Sequence, residues 1–465
     1  MRLLNILLFL SALTKLPAQI WTQDFNTDSK STTSHVTPLD DSTFLAIAHQ
    51  LSPDRTILKK MNLYGETLAE DTIEVILVHG LVALQGGGLM CVGSIPASFN
   101  DTTIVMKLDE GMQIEWKKKM HRGRMMAIAK SADGHFYIGG SKDTNNSEDA
   151  AYVGKMDSSG NMLWSRTHQL NKNSEVLEIV PLPNNQLLLI GTSIGAPPPG
   201  GMLAIRVHSS NGAMISTKLF YQGFCDNGDF QKVGIATDQE GHVIVAYGGA
   251  YAAINGDKGS SLVKFNSSGI YYETIQLTMS NFYERVPTAI HIDEDGNYIL
   301  FGGNARYGEL TKPYIEKMAP NGKVLWSKRA EGKGAITSAF QTVDGPFIIG
   351  GMKNSDVRAS LADEGHGFVS HLTDELNFYP IQLRGKVFYD LNDNCQLDSN
   401  EVGLKNWNLF LNGQKVIHTD ANGFFSTSLD YGDYFLSIVV DQPIWEACLT
   451  NAFFHLSDTS QLAEV

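Results

Sequence analysis

The stretch KMDSSGNMLWSR, Lys155 to Arg166, decides the fold because the chain repeats it. Its cousins are KMNLYGETLAED from Lys60, KLDEGMQIEWKK from Lys107, RVHSSNGAMIST from Arg206, KFNSSGIYYETI from Lys264, KMAPNGKVLWSK from Lys317 and HLTDELNFYPIQ from His371. Successive copies start 47, 48, 51, 58, 53 and 54 residues apart. Each copy leads with a basic and an apolar residue, turns, and resumes as a strand-like run. Three of those runs carry a Trp (Trp116, Trp164, Trp326). A fixed period of this length marks a repeat architecture.

A second element keeps the same period: DGHFYIGG (133–140), NNQLLLIG (184–191), EGHVIVAYGG (240–249), DGNYILFGG (295–303) and DGPFIIGG (344–351), with related runs DDSTFLAIA (40–48) and GGGLMCVG (86–93). The Asp-Gly and Asn-Asn pairs fit the positive-φ positions of tight hairpin turns. The runs are short, β-branched or aromatic, and lack helical period. The closing glycines suit a crowded position where neighbouring units approach. Each unit therefore reads as four short antiparallel strands. Seven such units predict an all-β, seven-bladed β-propeller, with six or eight blades as alternatives. IWTQDF (20–25) resembles the Trp run and is expected to pair with the last blade and close the ring.

These repeats resemble secreted bacterial, Bacteroidetes-like β-propeller repeat proteins, over residues 26 to 380. The resemblance implies the fold and carries no activity.

In such a blade the first-to-second and third-to-fourth turns share one face. The second-to-third loops and the links between blades share the other. The first set is uniformly tight. The second is long and variable: SKDTNNSEDAA (141–151), TSIGAPPPGG (192–201), GAYAAINGDKGSS (249–261), NARYGELTKP (304–313) and MKNSDVRASLADEGHG (352–367). Loops on a rigid scaffold commonly carry function. The variable face near blades four to six is thus the expected ligand face, with Tyr221, Phe224, Tyr251, Phe282, Tyr283 and Tyr307 offering stacking surface; the competing reading is that they only pack the loops. The leading bases Lys60, Lys107, Lys155, Arg206, Lys264, Lys317 and His371 are expected to pair with acids or lie along apolar surface.

No nucleophile elbow, zinc-binding His-Glu-x-x-His or phosphate-binding loop stands in the chain. Carboxylates are plentiful in the loops, so a polysaccharide hydrolase or lyase is the competing functional class.

Near Leu383 the repeat gives way to RGKVFYDLNDNCQLDSNEVGLKNWNLFLNGQKVIHTDANGFFSTSLDYGDYFLSIVV (384–440), whose strands alternate well. Counting Asp390 as position 1, Asn392 is 3, Asn394 is 5, Gln396 is 7, Asp398 is 9 and Glu401 is 12. Those are the positions at which a twelve-residue calcium loop places its oxygens. Hard oxygens suit Ca2+ over zinc. Three formal negative charges suggest a dissociation constant of roughly 10⁻⁵ to 10⁻³ M, as in extracellular modules. Position 6 should be Gly and is Cys395, which strains the turn. A Cys395–Cys448 disulfide would clip this loop to the end of the domain, and an exporting compartment permits it. Cys91 and Cys225 are expected to be free.

The segment resembles SdrD B-like (Cna-B-related) domains through Gly385, Val387, Phe388, Asp390, Asp398, Glu401, Gly403, Leu404, Asp420, Gly423, Phe425, Leu429, Gly432 and Tyr434. The resemblance implies a small β-sandwich that serves as a stalk or spacer, with calcium in its first loop.

The chain opens MRLLNILLFLSALTKLPAQ, a short basic start followed by an apolar run of secretory-signal length. Cleavage after Ala18 is expected; the alternative is a buried N-terminal strand. No later run reaches the ~18 apolar residues of a membrane helix. Formal net charge is −14, which argues against nucleic acid and against anionic membranes. The resulting expectation is a signal peptide over 1–18, a propeller over 19–382 and a sandwich over 383–465. The protein is read as secreted or held at the cell surface, a monomer that binds an extracellular glycan or protein without catalysis.

Overall fold

The computed structural model describes residues 2–7, 22–25, 31–51, 54–96, 101–144, 148–170, 173–193, 201–220, 233–248, 260–277, 284–306, 309–329, 334–343, 345–353, 366–372, 381–392, 394, 397–398, 400–413, 415–429, 432–438, 445–447 and 451–456. The chain divides into two compact units, one of residues 22–371 and one of residues 1–21 with 372–465.

The larger unit is a seven-bladed propeller. Blade 1 runs Ser31–Pro38, Thr43–Leu51, Asp54–Asn62 and Thr67–Glu74, each strand antiparallel to the next. Blades 2 to 6 repeat this order, starting with inner strands Leu77–Ala83, Met125–Lys130, Ser174–Leu182, Gly234–Thr237 and Glu284–Ile292. Blade 7 supplies three strands, Gly334–Gln341, Phe347–Lys353 and His366–His371. Its fourth is Thr22–Asp24, paired antiparallel with Thr22 opposite Ser370. Thr22–Asp24, within IWTQDF, thus supplies the strand expected to pair with the last blade.

Two local devices recur. The first is the turn. In blade 6 the Asp293 Oδ1 accepts the backbone N–H of Asp295 (3.0 Å) and of Asn297 (2.8 Å), and Gly296 N donates to Asp293 O. Only the last turn residue, Gly296, has positive φ. The Asp-Gly and Asn-Asn pairs supply positive φ at their second residue: Gly134, Asn185, Gly296 and Gly345. In blades 5 and 6 the turn starts with an Asp whose side chain caps it, Asp238 and Asp293, whereas it starts with Ser131 in blade 3 and with Thr342 in blade 7.

The second device is a β-bulge in the inner strand. The register slips between Val78 and Gly80, Met125 and Ala127, Val176 and Glu178, Pro287 and Ala289, and Ile336 and Ser338. The bulge drives a carbonyl into the second strand. A Cβ on Gly140 would lie 2.0 Å from the Arg124 oxygen, and one on Gly191 would lie 1.9 Å from that of Glu175. The closing glycines are therefore demanded largely within a blade rather than between blades. Gly139, one residue earlier, does meet the next blade through Val176 and Ile179.

Between blades the Trp runs bolster the seam. Trp116 of blade 2 packs against Gly160 in the turn of blade 3, and Trp164 of blade 3 against Gly212 in that of blade 4. Second and third strands are buried on both faces, with Leu187, Leu188, Leu189 and Ile190 fully covered. Hydrophobic burial of this kind holds the blades together.

The smaller unit contains two four-stranded sheets. One orders Phe424–Leu429, Ile381–Tyr389, Arg2–Leu7 and Trp445–Ala447. The other orders Lys415–His418, Asn408–Leu411, Gly432–Ile438 and Asn451–Leu456. Val387, Phe388, Leu409, Leu411, Phe425 and Leu436 are buried in it. Arg2–Leu7 lies antiparallel to Ile381–Tyr389, with Leu4 opposite Tyr389, and parallel to Trp445–Ala447. The strand Ile381–Tyr389 runs across the 382/383 boundary drawn from the repeats.

Candidate functional sites

The loop after Ile381–Tyr389 gathers the residues that the calcium spacing selected. Asp390 and Glu401 are buried. Glu401 Oε1 accepts Leu391 N–H at 2.8 Å and Oε2 accepts Asp398 N–H at 2.9 Å, which ties the loop's start to its far side. Asn392 and Asn394 both donate through Nδ2 to Asp398 Oδ2, at 2.8 and 3.0 Å. Asp390 Oδ1 accepts Asn392 N–H at 3.1 Å. Five of the six predicted ligands thus lie in one hydrogen-bonded knot, with the Asn392 and Asn394 amide nitrogens turned to Asp398. Gln396, with Cys395 and Cys448, lies outside the described residues. Among the described residues no three His, Cys, Asp or Glu side chains converge to hold an ion by themselves. A calcium ion here would draw on the Asn carboxamides and backbone carbonyls as well as the acids. That mixed donor set fits a hard cation.

On the propeller, the variable end is bounded by strand ends that sequence reasoning did not single out. Arg124, just before the inner strand of blade 3, donates from Nε and Nη2 to the Glu175 carboxylate of blade 4 at 3.1 and 2.6 Å. Burial pushes the Glu175 carboxyl up, while the guanidinium beside it favours the ionised form. Asp149 sits half-buried at the same end, and burial raises its carboxyl too. The aromatic candidates Tyr221, Phe224, Tyr251, Phe282, Tyr283 and Tyr307, and Cys225, lie outside the described residues.

Two cavities are lined by described residues. One, of about 130 Å³, lies on the ring's inner strands, with His35, His79, Glu178, Thr288, Thr337 and Ser338 as its polar lining. The other, of about 400 Å³, lies between blades 1 and 2 at the tight-turn end, opposite the end singled out from loop length.

Four of the leading bases are ion-paired: Lys107 to Glu115 (2.6 Å), Lys155 to Asp133 (2.5 Å), Lys264 to Glu273 (2.9 Å) and Lys317 to Asp293 (2.7 Å). Arg206 donates to Ser216 Oγ and to Ser268 O. Cys91 is free and buried, and burial lifts its thiol to about 12, so it packs as a small hydrophobe.

No protein-family model and no curated protein matches the sequence. Among solved structures, the chain is similar to the quinohemoprotein alcohol dehydrogenase of Comamonas testosteroni at 10% identity and a TM-score of 0.45, over 76% of each chain. It is similar to the Dos1 propeller at 8% and 0.41, over 70% of this chain and 74% of that one. A protein of unknown function from Bacteroides caccae follows at 10% and 0.39, over 65% and 95%. Likeness at this level carries no argument about activity. The class is set by the seven four-stranded blades closed by Thr22–Asp24: a β-propeller with an appended β-sandwich. No described helix is long and apolar enough to cross a membrane.

Proposed function

We propose that this is an exported binding protein, with the variable end of the propeller as its ligand platform and the sandwich as a calcium-braced, SdrD B-like stalk. The observation that carries the reading is the division of loop types. The tight turns collect at one end of the closed ring, and the described strands between which the long connections run end at the other. Such an arrangement holds a recognition surface on a rigid scaffold. The knot around Asp390, Asp398 and Glu401 supports a structural calcium that braces the sandwich loop.

Export rests on the opening MRLLNILLFLSAL. Arg2–Leu7 is also a strand of the sandwich sheet, so processing after Ala18 would unpair one edge of Ile381–Tyr389. The intact mass of the exported protein separates the leader from a retained strand.

The test of binding is a panel of extracellular glycans and proteins offered to the exported chain, with calcium and with chelator. A specific ligand lost on trimming the 249–259 and 354–365 loops supports the platform. A ligand unaffected by both trims removes it. The second reading is a polysaccharide hydrolase or lyase using carboxylates of this end, with Asp149, which has Asp143, Asp101 and Arg124 around it, as the acid to test. Turnover abolished by Asp149→Asn without loss of fold would establish that reading instead.

A further inference from the structure

The third-strand base is partnered in blades 2 to 6, and blade 1 breaks the pattern. In blade 5, Lys264 stands across from Glu273, its ion-pair partner. In blade 1, Lys60 stands across from Ala69. The turn acid that serves Lys155 and Lys317 in their own blades is also spent here. Asp40 Oδ1 accepts Ser42 N–H, Ser42 Oγ–H and Thr43 N–H, and its Oδ2 accepts Thr43 Oγ1–H. Among the described residues Lys60 has no hydrogen-bond or ion-pair partner.

Lys60 lines the cavity of about 400 Å³ between blades 1 and 2. That volume is in the range of small-molecule sites. Its other charged lining is Asp40, Asp109 and Glu110. Asp109 Oδ1 is occupied by Gly111 N–H and Gln113 N–H, each at 2.9 Å. Glu110, like Lys60, has no partner among the described residues. Its side chain lies against Gly87, where a Cβ would fall 2.3 Å from Glu110 Cγ, so that glycine keeps room for it. The remaining wall is largely apolar, with Leu39, Leu84 and Met112.

We propose that this inter-blade cavity is a binding site for a small zwitterion with an apolar body, such as an amino acid carrying an aliphatic side chain. Lys60 takes the carboxylate and Glu110 the ammonium. The apolar wall takes the side chain. A simple anion would meet three acids with one base, and a simple cation would meet Lys60. A molecule bearing both charges satisfies both ends. The site stands at the tight-turn end and is independent of the platform at the other end.

The test is ligand-observed NMR and calorimetry of the full chain with L-leucine, alongside leucinamide, which lacks the carboxylate, and 4-methylpentanoate, which lacks the ammonium. The expected result is saturable binding of L-leucine, weakened at least about tenfold in each analogue and in both Lys60→Met and Glu110→Gln. Melting curves confirm that each variant is folded, and either variant alone suffices. No binding of L-leucine, equal binding of the three compounds, or binding unchanged in folded Lys60→Met and Glu110→Gln overturns the proposal.

Discussion

Arg124 grips Glu175 across the seam between blades 3 and 4, its Nε and Nη2 each on one carboxylate oxygen. The Glu175 side chain is only 7% exposed and that of Arg124 is 35%. A bidentate pair this covered fixes the spacing of two blades at the end where the long loops begin. Removing one partner strands a charge in a site with little water. Glu175→Gln or Arg124→Met is expected to cost about 2–3 kcal/mol, near the low end for buried pairs because Arg124 is partly solvated. The Arg124→Met/Glu175→Leu double variant should recover much of that loss. Denaturant melts of the four proteins check it, and a single variant as stable as wild type would show the pair contributes nothing.

The bulge-and-glycine device separates two kinds of glycine. At Gly140 a methyl group would strike the Arg124 carbonyl at 2.0 Å, so Gly140→Ala must shift backbone and should cost about 2–3 kcal/mol. At Gly134 (φ +81) nothing lies within 4 Å, so Gly134→Ala should cost only the left-handed backbone penalty, about 1 kcal/mol. Paired thermal melts would rank the two, and equal losses would remove the clash as the cause.

Val75 offers the opposite sign. It is β-branched, 55% exposed and held at φ 60, a conformation that branched side chains rarely adopt. Asn tolerates that region, and little buried surface is lost. Val75→Asn is expected to stabilise the protein by about 0.5–1 kcal/mol, read as a rise in Tm.

In the loop proposed to hold calcium, the informative variant is not the buried acid. Glu401 already accepts two backbone N–H groups, so Glu401→Ala should destabilise the sandwich with or without calcium. Among the described residues, Asp398 Oδ2 receives the two Asn side chains and no backbone N–H. Asp398→Asn should therefore lower the sandwich Tm in calcium and change it little in chelator. A loss of equal size in both conditions would count against a bound ion.

The turn acids predict an acid limit to stability. Hydrogen bonds from the Thr43 hydroxyl, Ser42 N–H and the Ser42 hydroxyl draw the Asp40 carboxyl down to about 2 from 3.8. Lys155 and the Ser131 hydroxyl likewise hold Asp133 well below the usual carboxylate range. A depressed folded pKa contributes stability that is present above the unfolded value and lost as pH falls through the folded one. Tm should be level above about pH 5 and fall between about pH 4 and pH 2. Asp40→Asn should flatten part of that fall, and an unchanged profile would exclude this turn.

Much of this was legible in the chain. The period from Lys60 to His371 specified seven units, because each short hairpin pair must bury its faces against a neighbour. IWTQDF marked the closing strand by its likeness to the Trp runs. The Asp390–Glu401 spacing picked out five side chains that do meet, because a loop that short keeps sequence neighbours together in space.

Other features were settled only in three dimensions. The carbonyls that require Gly140 and Gly191 come from a bulge in the neighbouring strand, and no local pattern announces it. Arg124 and Glu175 are 51 residues apart and meet because consecutive inner strands start side by side. Lys60 looks the same as the other leading bases in the sequence; only the fold shows that Lys107, Lys155, Lys264 and Lys317 reach acids and that Lys60, across from Ala69, reaches none among the described residues. Local composition and period set the strands and turns of this protein. Which side chain is left without a partner was decided by register and blade closure, because an ion pair depends on what the fold brings opposite it.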